Sequence, residues 1–326
     1  MRGKTIETSL RNLRKWCALQ LAIVRRLRQT SLDDLVFEQL IASRDCPKAF
    51  SALARAHTKR PLRIQNTSNL CRYLELVRPL THPSLELRRF GGPGDGGYEM
   101  LPPPPVPLRG AKPKALSLGV SESSPWDLEM ANLGYEVLEF DASIESSPYP
   151  WHGNIKFFKK FVGLVDNENT ISLERILSEA RLEPGLHNIL QCDIEGAEWG
   201  ILDGLDLGRL AAYFPQLIFE FHGCNPDDEV ASASRFRILE NLLAFYAPIW
   251  THYNNMGPLS TARVGSRLVP FFTSLEVSYL RRDLIPSTAR PLEDFIGGLP
   301  ESSNPAKPDI PLIFPKQAAF LESKIS

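Results

Sequence analysis

The sequence predicts an α/β fold: a doubly wound, mostly parallel sheet with an antiparallel edge, preceded by an N-terminal helical extension. Three observations carry this. From residue 115 onward, short apolar runs alternate with helical patterns, as in a parallel sheet covered on both faces. Two late strand-like runs, Ile249 to Tyr253 and Thr273 to Leu280, fall close together, as an antiparallel edge would. A proline run, Pro102 to Pro105, precedes the first strand and reads as a connector, because proline has no N–H to offer a ladder.

The elements follow in order. Ala115 to Gly119 is the first strand, and Pro125 to Leu133 a helix with Ser123 or Ser124 as its cap. Glu136 to Asp141 is the second strand and Asn154 to Val162 the third. Ser172 to Ala180 is a helix, Asn188 to Asp193 the fourth strand, and Glu198 to Leu205 a helix. Gln216 to His222 is the fifth strand, and Ser234 to Phe245 the last helix before the late pair. The methyl- and ring-rich strands are long enough to build one core, so a single domain over residues 86–285 is expected. Residues 1–85 form the basic helical extension, and residues 286–326 a loose tail rich in Pro and Ser.

Within residues 1–28, Arg2, Lys4, Arg11, Arg14, Lys15, Arg25, Arg26 and Arg28 face only Glu7. Leu10, Leu13, Trp16, Cys17, Leu21 and Val24 recur among them at helical spacing. A helical cap packed on the domain is the preferred reading. A helix lying on an anionic membrane surface is the alternative. The formal net charge of the chain is −1, which gives no hint of a nucleic-acid partner. The five cysteines are scattered without a CxxC pair, so neither a disulfide framework nor a zinc knuckle is expected. The apolar run Cys17 to Val24 is far shorter than the roughly 20 residues that cross a bilayer, and no signal-cleavage pattern follows it. A cytoplasmic protein is expected, with residues 1–28 as the segment that would touch a membrane.

In a doubly wound sheet, ligands bind beyond the carboxyl ends of the strands. That rule selects Gly119, Asp141, Asp193 and His222. Gly119 lets a ligand approach the backbone, and the Val-Ser-Glu-Ser-Ser loop after it leads into a helix N-terminus. Asp141, 22 residues further on, stands where a carboxylate would grip ribose hydroxyls. The loop has neither GxGxxG nor GK[ST], which disfavours dinucleotide and nucleoside-triphosphate binding. Asp193 and Glu195 leave the fourth strand at alternate positions and could orient a hydroxyl or take its proton, whereas Glu198 reads as a first-turn helix residue. His222 and His252, each at a strand end, are the candidate bases.

Taken in order, Arg89 to Tyr98 ending in Asp-Gly-Gly-Tyr, Leu118-Gly119, Phe140-Asp141, Asp193-Ile194-Glu195-Gly196 with Glu198-Trp199, Glu220-Phe221-His222 and His252-Tyr253-Asn254-Asn255 resemble FkbM-type methyltransferases. The likeness is strongest to the methyltransferase-like branch with DGGY and DIEGAEW signatures, and spans about residues 88–283. It implies a class I methyltransferase-like fold, S-adenosylmethionine as methyl donor, and transfer to an oxygen on a sugar or other small metabolite. Asp95 and Gly97 of the DGGY run and Ser121 of the loop join Gly119, Asp141 and Asp193 as the implied cofactor set. Asp193, Glu195, His222 and His252 form the implied catalytic set. Two departures stand out: the loop lacks the second and third glycines common in the class, and Gln191 replaces a frequent lysine. No metal is expected, because strand-end acids can orient a hydroxyl without one; an ion on Asp193, Glu195 and a histidine is the disfavoured variant. The acceptor is a small molecule or glycan. The runner-up is a catalytically inactive methyltransferase-like module that docks on a membrane or partner. A nucleotide-sugar enzyme is third.

Overall fold

A computed structural model describes residues 62–107, 109–257, 259–264, 267–293, 295–296, 303–304 and 312–314. The basic segment 1–28, with the cap and membrane readings attached to it, lies outside the described residues.

Seven strands form the main sheet: β1 (Lys114–Leu118), β2 (Glu136–Phe140), β3 (Ile155–Phe158), β4 (Ile189–Cys192), β5 (Gln216–Phe221), β6 (Tyr246–Tyr253) and β7 (Leu275–Arg281). Their order across the sheet is β6-β7-β5-β4-β1-β2-β3. β1 to β5 are mutually parallel, while β7 runs antiparallel to both β5 and β6. The doubly wound sheet with an antiparallel edge is therefore present as the sequence predicts.

Alternation along the strands explains its two faces. Leu116, Leu118, Leu190, Leu217, Phe219, Phe221, Leu275 and Val277 point into the larger core. That side is covered by α1 (Thr67–Leu76), α3 (Leu173–Glu179), α4 (Glu198–Gly204), α5 (Leu207–Tyr213) and α6 (Glu229–Leu243). Each such side chain taken fully out of water contributes roughly 1.5–3 kcal/mol. Ala115, Val137, Ile189 and Ile218 point the other way, against α2 (Pro125–Asn132) and a hairpin of Arg88–Phe90 with Tyr98–Met100. This second face is the polar one. Ser117, Glu139, Gln191, Gln216, Glu220, His252, Glu276 and Ser278 alternate with the apolar set and are all buried.

Several elements differ from expectation for local reasons. The third strand stops at Phe158, and Phe161–Gly163 turns away to pair with Thr170–Ser172. α6 begins five residues before the expected Ser234, because Asp228 caps it by accepting the Ala231 N–H. The apolar stretch after Leu205 starts a separate helix, α5, capped by Asp206. Ser124 is the N-cap residue of α2 but makes no side-chain capping bond; Pro125 fixes the first turn instead. The glycine cluster 91–97 is the loop of the hairpin, closed by Arg89, whose guanidinium bonds the Gly92 and Gly94 carbonyls.

Packing reaches beyond residues 86–285. α1 lies against α6, with the fully buried Tyr73 donating to Ser232. Arg290–Pro291 pairs with Leu80–Thr81, and Leu312 and Phe314 are buried in the larger core. Cys71, Cys192 and Cys224 are buried free thiols. Among the described residues no helix is long and apolar enough to cross a membrane.

Candidate functional site

The chain winds outward through β1, β2 and β3, then returns to lay β4 on the other side of β1. The crevice between the carboxyl ends of β1 and β4 is thus the topological switch point, where doubly wound sheets bind ligands. Gly119 closes one side of it at φ +85°. A Cβ on Gly119 would fall 1.7 Å from the Asp193 carbonyl oxygen, so only glycine fits against this strand end. The Gly119 N–H bonds the Phe140 carbonyl and the Asp193 N–H bonds that of Leu118, extending the ladders to the rim.

Asp141 follows β2 directly. One carboxylate oxygen accepts the N–H groups of Val120 and Ser121, both at 2.9 Å, and the other accepts that of Ser143 at 2.7 Å. Burial acts to raise this carboxyl, but the bonds from Ser143, Ser121 and Val120 outweigh it and hold it below the usual range. Asp141 therefore clamps the loop after β1. Ser121 sits at φ +58°, the left-handed region that favours glycine. Beyond the clamp, Glu122 and Ser123 are exposed, and their N–H groups make no hydrogen bond among the described residues.

The fourth strand turns sharply into α4 through Glu195 (φ +56°) and Gly196 (φ +106°). A left-handed residue other than glycine costs roughly 1–2 kcal/mol, and such strain collects at functional sites. The turn brings Asp193, Glu195 and Glu198 around His222. His222 Nε2 stands 3.7 Å from Asp193, 3.5 Å from Glu195 and 3.4 Å from Glu220. Its Nδ1 stands 3.3 Å from Glu198. The sequence places Asp193 and His222 on neighbouring strands within about 10 Å, and the observed separation is well inside that.

Glu198 is fully buried, and it is more than a first-turn residue. It accepts the backbone N–H of His222 at 2.6 Å and of Gly196 at 2.8 Å, so it ties the end of β5 to the start of α4. Burial opposes charge on His222, yet hydrogen bonds to Glu198 and Glu220 outweigh it and lift the imidazole to about 11. Burial, then Glu220, push Asp193 well above the usual carboxylate range against the pull of His222.

The register extends this cluster across the sheet. Glu220 on β5 lies directly opposite Glu276 on β7, and Glu276 directly opposite His252 on β6. His252 therefore stands about three strand spacings, roughly 14 Å, from Asp193. It connects to the cluster through Glu276, 3.9 Å away, and does not meet His222. Asp95 reaches the same row from the hairpin loop, with Asn254 donating to it at 3.5 Å; burial, then Glu220, raise its carboxyl. Gly97 is held where a Cβ would lie 2.3 Å from the Gly92 carbonyl oxygen, so its role is to let the loop fold back.

Glu220, Glu198 and Glu276 escape the sequence-derived catalytic set. The signal for two of them is present in the strands: a glutamate at an alternate position within the otherwise apolar Gln216–Phe221 and Leu275–Arg281. Gln191 also finds its place. Its Nε2 donates to the Tyr98 hydroxyl at 3.0 Å, and its oxygen lies 3.1 Å from Ser117 Oγ. Ser117 Oγ is also 3.0 Å from Asp127. Ser117 thus stands between Asp127 and Gln191 in one buried polar chain. Burial, then Glu139, raise Asp127 well above the usual carboxylate range, against the bond from Ser117.

No family model matches the chain. A stretch of 139 residues is 32% identical to "Probable methyltransferase-like protein 24" of Homo sapiens, covering 39% of this chain and 37% of that protein. The Rattus norvegicus protein of the same name matches over 135 residues at 33% identity, again covering 39% of this chain and 37% of its own length. The chain therefore matches little more than a third of the length of these curated relatives. The sheet is Rossmann-like, and the matched stretch is similar to methyltransferase-like proteins.

Proposed function

We propose that the protein is an S-adenosylmethionine-dependent methyltransferase of FkbM type that methylates a hydroxyl on a sugar or other small molecule. One observation carries the reading: the crevice at the β1/β4 switch point has a glycine-flush floor at Gly119 and an acid–histidine cluster, Asp193 with His222, on its far wall. The methyltransferase-like relatives support it.

The residues present fit this donor. Gly119 leaves room for close backbone approach, and the N–H groups of Glu122 and Ser123 can serve a polar ligand. Asp141 accepts three N–H bonds and retains one lone-pair position for a ribose hydroxyl. S-adenosylmethionine supplies a methyl group already activated on a sulfonium. The protein's work is alignment, which contributes roughly 7–11 kcal/mol in well-oriented reactions. Asp193 orients the acceptor hydroxyl and accepts its proton as the new C–O bond forms and the C–S bond breaks.

Calorimetric titration of the full chain with S-adenosylhomocysteine tests this. Saturable binding is expected, weakened about tenfold or more in Asp141→Ala. A folded wild-type protein that does not bind, or an Asp141→Ala protein that binds unchanged, overturns the reading.

A further inference from the structure

We propose that Asp193, Glu195 and His222 form a binding site for one divalent transition-metal ion of the Mn2+ class. One donor atom from each of the three lies within 4.8 Å of the others. The separations from His222 Nε2, 3.7 Å to Asp193 and 3.5 Å to Glu195, are too long for hydrogen bonds. They suit a shared ion: two donors each about 2.1 Å from a metal stand up to about 4.2 Å apart.

Independent observations point the same way. Asp193 Oδ1, the oxygen that faces His222, is buried and has no hydrogen-bond partner. Glu276 is only 6% exposed and stands directly opposite Glu220 on the cluster's side of the sheet. Like charges directly opposite in a ladder destabilise it unless something compensates. Glu198 supplies the third observation. It holds His222 at Nδ1, which leaves Nε2, within 3.7 Å of Asp193, Glu195 and Glu220, as the nitrogen that can coordinate once its proton is released. A buried carboxylate behind a histidine in this way is the usual support of a metal-bound imidazole. A mixed carboxylate and imidazole set favours Mn2+ or Zn2+ over the all-oxygen preference of Ca2+. On coordination the Nε2 proton leaves to solvent.

The inference does not depend on methyl transfer, and its readout is metal binding itself. The full chain, stripped with a chelator, is titrated with MnCl2 while free Mn2+ is followed by electron paramagnetic resonance. One saturable site per chain is expected, with nitrogen coupling in the pulsed spectrum that disappears in His222→Gln. Glu195 is 88% exposed, so Glu195→Gln should fold as the wild type and bind Mn2+ at least about tenfold more weakly. Glu198→Gln, where it folds, should weaken binding about 10–100-fold through the histidine. Absence of saturable binding, bound Mn2+ without nitrogen coupling, or wild-type affinity in Glu195→Gln overturns the proposal.

Discussion

The Nε2 of His187 lies 3.1 Å from the Nε2 of Gln216, and only one protonation state allows it. The Gln216 amide is oriented by two bonds to Leu101, its oxygen accepting the N–H and its nitrogen donating to the carbonyl. The amide nitrogen must therefore donate to His187, whose Nε2 carries no proton. Nδ1 then donates to the Tyr135 hydroxyl at 2.8 Å. Burial pushes this histidine down to about 4.

A pH dependence of stability follows. The folded pKa is depressed below the unfolded value of about 6.5, so the unfolded chain binds the proton first on acidification. The contribution is fully present above about pH 6.5 and is lost as pH falls toward 4. It amounts to at most about 3 kcal/mol. Denaturant melts at stepped pH should show a shallower loss over this window in His187→Asn than in the wild type. Parallel curves would refute the assignment.

Glu139 carries the opposite slope. It is fully buried on β2, neither carboxylate oxygen has a well-formed hydrogen bond among the described residues, and burial raises its carboxyl against the pull of Ser147 and Asp127 nearby. A raised carboxyl stabilises the fold below its unfolded value of about 4.5 and loses that contribution as pH rises through the folded value. Glu139→Gln should therefore gain stability over the wild type with rising pH, by about 1 kcal/mol or more at pH 8. A variant less stable at pH 8 than at pH 5, relative to wild type, would contradict this.

Gly119→Ala places a methyl group on the Asp193 carbonyl. The strand ends must part, and the left-handed backbone adds strain of its own. A loss of at least about 2 kcal/mol in unfolding free energy is expected, together with loss of S-adenosylhomocysteine binding. An alanine variant with wild-type melting would show that the β1–β4 contact is looser than described.

Asp193→Asn separates the proposed catalytic role from donor binding. Methyl transfer to an identified acceptor should fall by about 100-fold or more, the range for removal of an acid–base group. Affinity for S-adenosylhomocysteine should change far less. Equal losses in both would assign Asp193 to the donor alone.

The sheet was legible because each central strand is apolar on consecutive positions and is followed by a helix signal. The rim residues were legible for the same reason: Gly119, Asp141, Asp193 and His222 all fall where an apolar run ends. Glu198 was harder, since a glutamate in a first helical turn has a sufficient local explanation, and only the fold shows that it reaches His222 across to β5. The acidic row was hidden because Glu220 and Glu276 become neighbours through a register between strands separated by 53 residues of chain, His222 to Ser274. His252 shows the converse. A strand-end histidine looked like a base, but β7 inserts between its strand and the cluster.

That insertion sets an order of assembly. β6 precedes β7 in the chain yet touches the sheet only through it. During synthesis β6 has no docking edge until residues 275–281 have emerged and paired with β5. A nascent chain can complete β1 to β5, with Asp193 and His222 already adjacent, while the fifteen-residue helix α6 and β6 wait beside it. The unpaired β5 edge is then the exposed, aggregation-prone surface of the growing protein. A stop codon anywhere before Leu275 would leave that edge open for good and strand β6 with no sheet to join.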